Sequence, residues 1–392
     1  MRRAYFDRIA ATPVLPEVGE AMRPFFTEAF GNPQSLHAAG REALEAVEEA
    51  RGDVAALIGA EPSEIYFTAS GTEANNFAIK GLAAGQQARG RRIVVSAVEH
   101  SSVLQSVKAL ERQGFASTLV PVDRDGRVDP AGVAEALTDD TALVSVMTAN
   151  SEVGTVEPVA EIAAVCRARG ILFHTDAVAA AGSLPLDVRA LGVDALSLAG
   201  DQFHGPKGAA ALFVRKGARI LPLVDGGIQE GGRRGGTENV PAIVGLGRAA
   251  RLARRDMEAR RAAAVPLRDR LLEELPRRIG RVVVTGSRAD RLPYHASFCV
   301  EFVEGEAMLL GLDMGGVAAS SGSACTSKAL KASHVLLAMG LDHALAQGSL
   351  VFSLPVGAEA GDVDRLLEVF PPVVDRLRRM SPLYTAYLKE KG

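Results

Sequence analysis

From about residue 40 to 215, stretches of helical period alternate with short apolar runs, and this rhythm restricts the possible folds more than any other feature. Arg41–Ile58 is amphipathic with helical spacing, and Glu64–Thr68 reads as a strand. Glu73–Ala84 is then helical and Arg92–Ala97 a strand. Ser101–Gln113, Ser117–Pro121, Ala142–Thr148, Val159–Arg169 and Ile171–Thr175 continue the alternation. Such a βα rhythm predicts a mostly parallel sheet covered by helices on both faces. An Ala/Arg-rich segment from Val240 to Arg278 reads as one or two helices leaving that unit. Beyond it, strand-like Arg281–Val284 and Ser297–Phe302 and helical Val363–Met380 suit a smaller α+β unit. A chain of 392 residues is long enough for two cores. The expected division is a large α/β domain over residues 14–255 and a small α+β domain built from residues 1–13 plus 256–392.

The formal net charge of −3 gives no reason to expect nucleic acid as a direct partner. The start, Met1-Arg-Arg-Ala-Tyr-Phe-Asp7, lacks the apolar core of a signal peptide, and no apolar run reaches membrane-spanning length. A cytoplasmic protein without a membrane partner is the expectation. The three cysteines are too scattered for a disulfide framework or a zinc pair. Cys166 and Cys299 lie in apolar runs and read as small buried hydrophobes. Cys325 lies among Ser and Gly, where an accessible, reactive thiol is expected, with Lys328 and Lys331 near to favour a thiolate. Thr72 opens a predicted helix after a glycine, which suits either a phosphate cradle or a plain cap. His100 follows a strand, and Asp176 stands at the end of another.

Seven segments occur in an order that carries a family resemblance: Gly31-Asn-Pro-Gln-Ser-Leu-His37, Ser70-Gly-Thr-Glu-Ala-Asn-Asn76, Glu99-His100, Asn150-Ser-Glu-Val-Gly154, His174-Thr-Asp176, Arg234-Gly-Gly-Thr-Glu-Asn-Val-Pro241 and Ser320-Ser-Gly-Ser-Ala-Cys-Thr-Ser327. Over nearly its whole length the chain resembles the cysteine desulfurases, the NifS/IscS-like branch of the class V aminotransferases. The resemblance implies the fold type I of pyridoxal-phosphate-dependent transferases, with a seven-stranded type of sheet in the large domain and the Cys325 loop in the small one. It implies pyridoxal phosphate as cofactor, with Thr72 on its phosphate and His100 stacked on its ring. Asp176 would pair with the ring nitrogen and Asn150 would lie near the phenolic oxygen. Thr237 would reach the phosphate from a partner subunit, which implies a homodimer. Cys325 would carry sulfur as a persulfide.

Five positions depart from the family pattern. Gln202 stands where the family's lysine holds the cofactor as a Schiff base, and an amide nitrogen cannot form that bond. Ala199 and Asp201 replace a serine and a histidine that bind the phosphate. A carboxylate beside a phosphate is repulsive, by about 4 kcal/mol per contact pair at an effective dielectric near 20. Ala179 replaces a glutamine, and Val351 replaces an arginine that clamps the substrate carboxylate. The Asp7-Arg-Ile-Ala-Ala-Thr12 segment departs as well. Of eight lysines, Lys207 is the nearest to residue 202, but it follows a turn and is expected to point elsewhere.

These changes predict a desulfurase-like protein of sulfur transfer or iron–sulfur assembly without normal cysteine turnover, in which pyridoxal phosphate is doubtful. Cys325 would then be a persulfide carrier, or a metal-centre ligand if a cluster is bound. Its partners would be an iron–sulfur scaffold, a sulfur-acceptor protein or an active desulfurase paralogue. One alternative is an active cysteine desulfurase with non-covalently bound pyridoxal phosphate and protons moved through His100 or His204. Another is a scaffold or heterodimer partner of that paralogue, and a pocket near Asp201 for a different ligand is a fourth.

Overall fold

The computed structural model describes residues 3–322 and 332–391. Twelve strands occur among them. The first eight are β1 (Ala4–Tyr5), β2 (Ile65–Thr68), β3 (Arg92–Ser96), β4 (Ala116–Val120), β5 (Thr141–Ser145), β6 (Leu172–Asp176), β7 (Ala195–Ala199) and β8 (Ala210–Val214). The rest are β9 (Val282–Val284), β10 (His295–Val300), β11 (Val317–Ala318) and β12 (Ser349–Ser353).

Seven strands form one sheet in the order β2-β8-β7-β6-β5-β3-β4, and all but β8 run in one direction. The side-chain period of two sends neighbouring residues into opposite cores. Val94, Val144 and Leu196 join a core with residues of helices Ala38–Leu57 and Val159–Ala168. Ile93, Val95, Leu143 and Ala195 join the other with residues of helices Gly71–Gly85 and Ser101–Glu111. Because both faces are covered, β5, β7 and β8 are buried along their whole length. This is the parallel-type, helix-covered sheet that the alternation predicts.

Helix Val240–Ile279 runs unbroken for 40 residues, through Pro266 and Pro276. The expected boundary between residues 255 and 256 falls inside it, so the chain crosses that point on a single helix. Its first half packs on Ala38–Leu57, where Gly247 permits the close approach. A Cβ there would lie 2.5 Å from Ala50 Cα. The C-terminal part carries the antiparallel sheet β12-β10-β9, and β1 pairs with β11 while Asp7 bridges Ser353. The first residues therefore pair with C-terminal strands. Among the described residues, no helix is long and apolar enough to cross a membrane.

Candidate active site

β3 leads to β4 on one side, and the chain then crosses back to β5 and β6 on the other. Open α/β sheets bind ligands at the carboxyl ends of strands beside such a reversal. A cleft of about 610 Å³ lies there, lined by residues that follow β3, β5, β6 and β7 and by the start of helix Gly71–Gly85. The Ser70 hydroxyl caps that helix by accepting from the Glu73 N–H at 3.1 Å. Its first turn carries N–H groups without helical partners and the positive end of the dipole, which suits an anion. Gly71 lets the helix begin this close to the sheet, since a Cβ would lie 2.7 Å from Val178 Cγ2. Thr72 is exposed on the same wall.

Across from it, a polar chain links Asp176 to His100. Asp176 Oδ1 accepts from the Val178 N–H at 2.9 Å, and Oδ2 accepts from Asn75 Nδ2 at 2.6 Å. Asn75 also donates to Ser102 Oγ at 2.9 Å, which lies 2.7 Å from His100 Nδ1. The Ser102 backbone N–H donates to that Nδ1 at 3.1 Å, so Nδ1 is an acceptor and the ring proton belongs on Nε2. Burial raises the Asp176 carboxyl above the usual carboxylate range, and His100 and both hydrogen bonds oppose that shift. Glu152 also lines the cleft. Burial pushes it up to about 7 against a hydrogen bond from Ser333 Oγ. Beneath the wall, burial pushes Glu99 up to about 8 although Ser96 Oγ and the Met147 N–H donate to it.

Gln202, Ala199, Asp201 and Ala179 all line the cleft, so four of the five departures meet in one place. Gln202 turns its amide onto the N-terminal segment, donating to the Ile9 carbonyl at 3.2 Å. Val351 is buried within β12 and does not line the cleft. Lys207 corrects its expectation: it lies on the cleft wall. The segment after β7 doubles back, with Gly200 N–H on the Ala209 carbonyl at 3.1 Å and Gly205 N–H on the Gly200 carbonyl at 2.8 Å. That closure returns residue 207 to the side of residues 199–202, and the charge of Lys207 favours the Asp201 carboxylate.

Asn150 is buried, and its amide is spent on the backbone. It donates to the Val98 carbonyl at 2.9 Å and accepts from the N–H groups of Glu152 and Val153 at 2.8 and 3.0 Å. The residue shapes the turn that presents Glu152 and does not itself line the cleft. Thr237 is exposed and off the wall, in a segment tied to the Gly71–Gly85 helix by Arg234 Nε on Glu73 Oε1 at 2.9 Å. His174 is structural: it sits 2.9 Å from Ser145 Oγ and 2.9 Å from Ser197 Oγ, and burial lowers it to about 3. Cys166 and Cys299 are buried and pushed up to about 12, as small hydrophobes should be. Cys325, Lys328 and Lys331 lie outside the described residues. Among the described residues, no cluster of His, Cys, Asp or Glu could hold a metal ion.

Sequence reasoning missed Asn75, Ser102 and Glu152. Asn75 and Glu152 stand inside quoted segments, but nothing local says that they face the same space.

Residues 4–366 match the family model described as aminotransferase class-V. The chain is 47% identical over 382 residues to a protein named cysteine desulfurase IscS from Methanosarcina thermophila, covering 97% of this chain and 94% of that one. It is 48% identical over 384 residues to a cysteine desulfurase of Cereibacter sphaeroides, covering 97% and 98%. A solved structure titled NifS-like protein superposes with a TM-score of 0.90 at 36% identity, covering 96% of this chain and all of the other.

Proposed function

The chain belongs to the class V aminotransferases and, within them, to the cysteine desulfurases, and we propose that it desulfurates cysteine with pyridoxal phosphate held without an imine to residue 202. The observation that carries this reading is the open cleft. Gln202 folds back on Ile9, while Asp176, His100 and the start of helix Gly71–Gly85 still face about 610 Å³ of space. The walls fit the cofactor's ring, through a buried carboxylate and an imidazole. They fit its phosphate through the helix end and Thr72, less well than the family pattern because Ala199 donates nothing.

Bound pyridoxal phosphate supplies an electron sink for bonds next to the substrate nitrogen. In this reading Asp176 holds a proton at the ring nitrogen, and Asn75 and Val178 fix its two oxygens. His100 presents Nε2–H to the cleft because its Nδ1 is occupied by Ser102. Glu152, pushed up to about 7, is a carboxyl able to give or take a proton near neutrality. The carbon–sulfur bond of cysteine breaks, the carbon takes a proton to give alanine, and sulfur passes to the Cys325 thiol as a persulfide. Both described flanks of that segment meet the cleft: Ser321 and Gly322 line it, and Ser333 donates to Glu152. A homodimer, with Thr237 turned to the partner subunit, completes the reading.

A second reading has no turnover, with Cys325 relaying persulfide between partner proteins. It is favoured by Asp201, whose carboxyl lies where a phosphate ligand is expected. Purified protein with pyridoxal phosphate and cysteine decides between the two. Alanine and sulfide above the level given by the cofactor alone, with the protein persulfide lost in Cys325→Ser, support desulfuration. No excess alanine leaves the relay.

A further inference from the structure

We propose that Lys207 supplies the amine that residue 202 lacks, binding the aldehyde of pyridoxal phosphate covalently from the opposite arm of the same hairpin. The inference rests on the pyridoxal-phosphate reading of the cleft. Lys80, Lys108, Lys216 and Lys389 do not line the cleft, and Lys207 does. The hairpin after β7 closes between Gly200 and Ala209, and residues 202 and 207, on its two arms, line the same cleft although five positions separate them. Lys207 is exposed to the cleft and forms no ion pair within 4.0 Å among the described residues.

The step balances without a further reactant. The neutral Lys207 amine adds to the aldehyde carbon, a carbon–nitrogen double bond forms, and one water leaves. Before it can add, the ammonium must lose a proton. Lys207 is exposed, so solvent water takes that proton. Gln202 removes one amine from the hairpin, and Lys207 keeps one on the other arm.

Borohydride reduction tests this without requiring turnover. Protein incubated with one equivalent of pyridoxal phosphate is reduced, digested and mapped by mass spectrometry, with pyridoxal as a control for surface labelling. The expected result is a stoichiometric pyridoxyl group on the Lys207 peptide, lost in Lys207→Ala and in Lys207→Arg, which keeps the charge. Because Lys207 is an exposed turn residue, an unchanged melting temperature shows that these variants fold. No reduced adduct, or one confined to another lysine, overturns the proposal. Alanine production without a Lys207 adduct preserves the desulfurase reading and removes this one. A Lys207 adduct without alanine production does the reverse.

Discussion

At the scale of single residues, the cleft is governed by a few side chains with no slack. Asp176 has both oxygens committed by hydrogen bonds and faces the cleft from a buried position, so its charge is held where a ring nitrogen would need it. Asp176→Asn keeps the shape and loses the charge. It should lower alanine formation by on the order of 100-fold or more while the melting temperature changes little. Gln202→Lys restores an amine at the family's position and gives up the bond to the Ile9 carbonyl. Borohydride mapping of this variant should find a pyridoxyl group on residue 202. The identity of these residues was legible in the chain; their facing was not. Asp176, Thr72, His100 and Gln202 stand in segments whose chemistry can be named from sequence, and the cleft does bring them together. Asn150 could be named as readily, yet its amide is absorbed by three backbone partners.

At the scale of elements, the helix pair Ala38–Leu57 and Val240–Ile279 shows how a small residue sets a distance. Gly247 lies against the backbone of Ala50, so Gly247→Val must push the two helices apart. Overpacking of this kind costs about 1–3 kcal/mol, readable as a lower urea midpoint. Elements with a clear period were read close to their true limits. Ser101–Gln113 was expected as a helix and Ser101–Glu111 is one; Arg92–Ala97 was expected as a strand and Arg92–Ser96 is one. β7 and β8 were not read from the chain. Ala195-Leu-Ser-Leu-Ala199 has few β-branched side chains and no polar alternation, because both its faces are buried. Such a run looks alike in a helix and in a central strand. That gap had a consequence, since the hairpin between β7 and β8 turns Lys207 toward the cleft.

At the scale of the whole molecule, the buried titratable groups shape stability against pH. Burial raises Glu152 to about 7 and Glu99 and Glu157 to about 8, above their ordinary value. Each contributes stability while protonated and loses it as pH rises through the folded value, because the folded state then binds more protons than the unfolded one. The buried imidazoles of His174 and His295, lowered to about 3, and His204, lowered to about 4, act in the opposite sense between those values and their ordinary 6.5. Above pH 6.5 only the carboxyls remain in play, so the unfolding free energy should fall between pH 6.5 and 8. The fall is at most about 1.4 kcal/mol per pH unit for each group. Urea titrations across that window check it, and Glu157→Gln should flatten the curve.

The local physics of the chain determined the alternation of strands and helices, the two-sided burial of the sheet, the family and the chemical identity of the cleft residues. Period and residue type act over a few neighbours, and those are properties of sequence. Which side chains share the cleft depends on how distant segments close. Gly200 meets Ala209, Asn75 reaches both Asp176 and Ser102, and the Asn150 amide is used before it can face a ligand. No local period encodes these contacts, because they form only when the sheet brings the carboxyl ends of its strands together. Tertiary structure alone therefore decided that the lysine expected to point away lines the same cleft as the glutamine that cannot replace one.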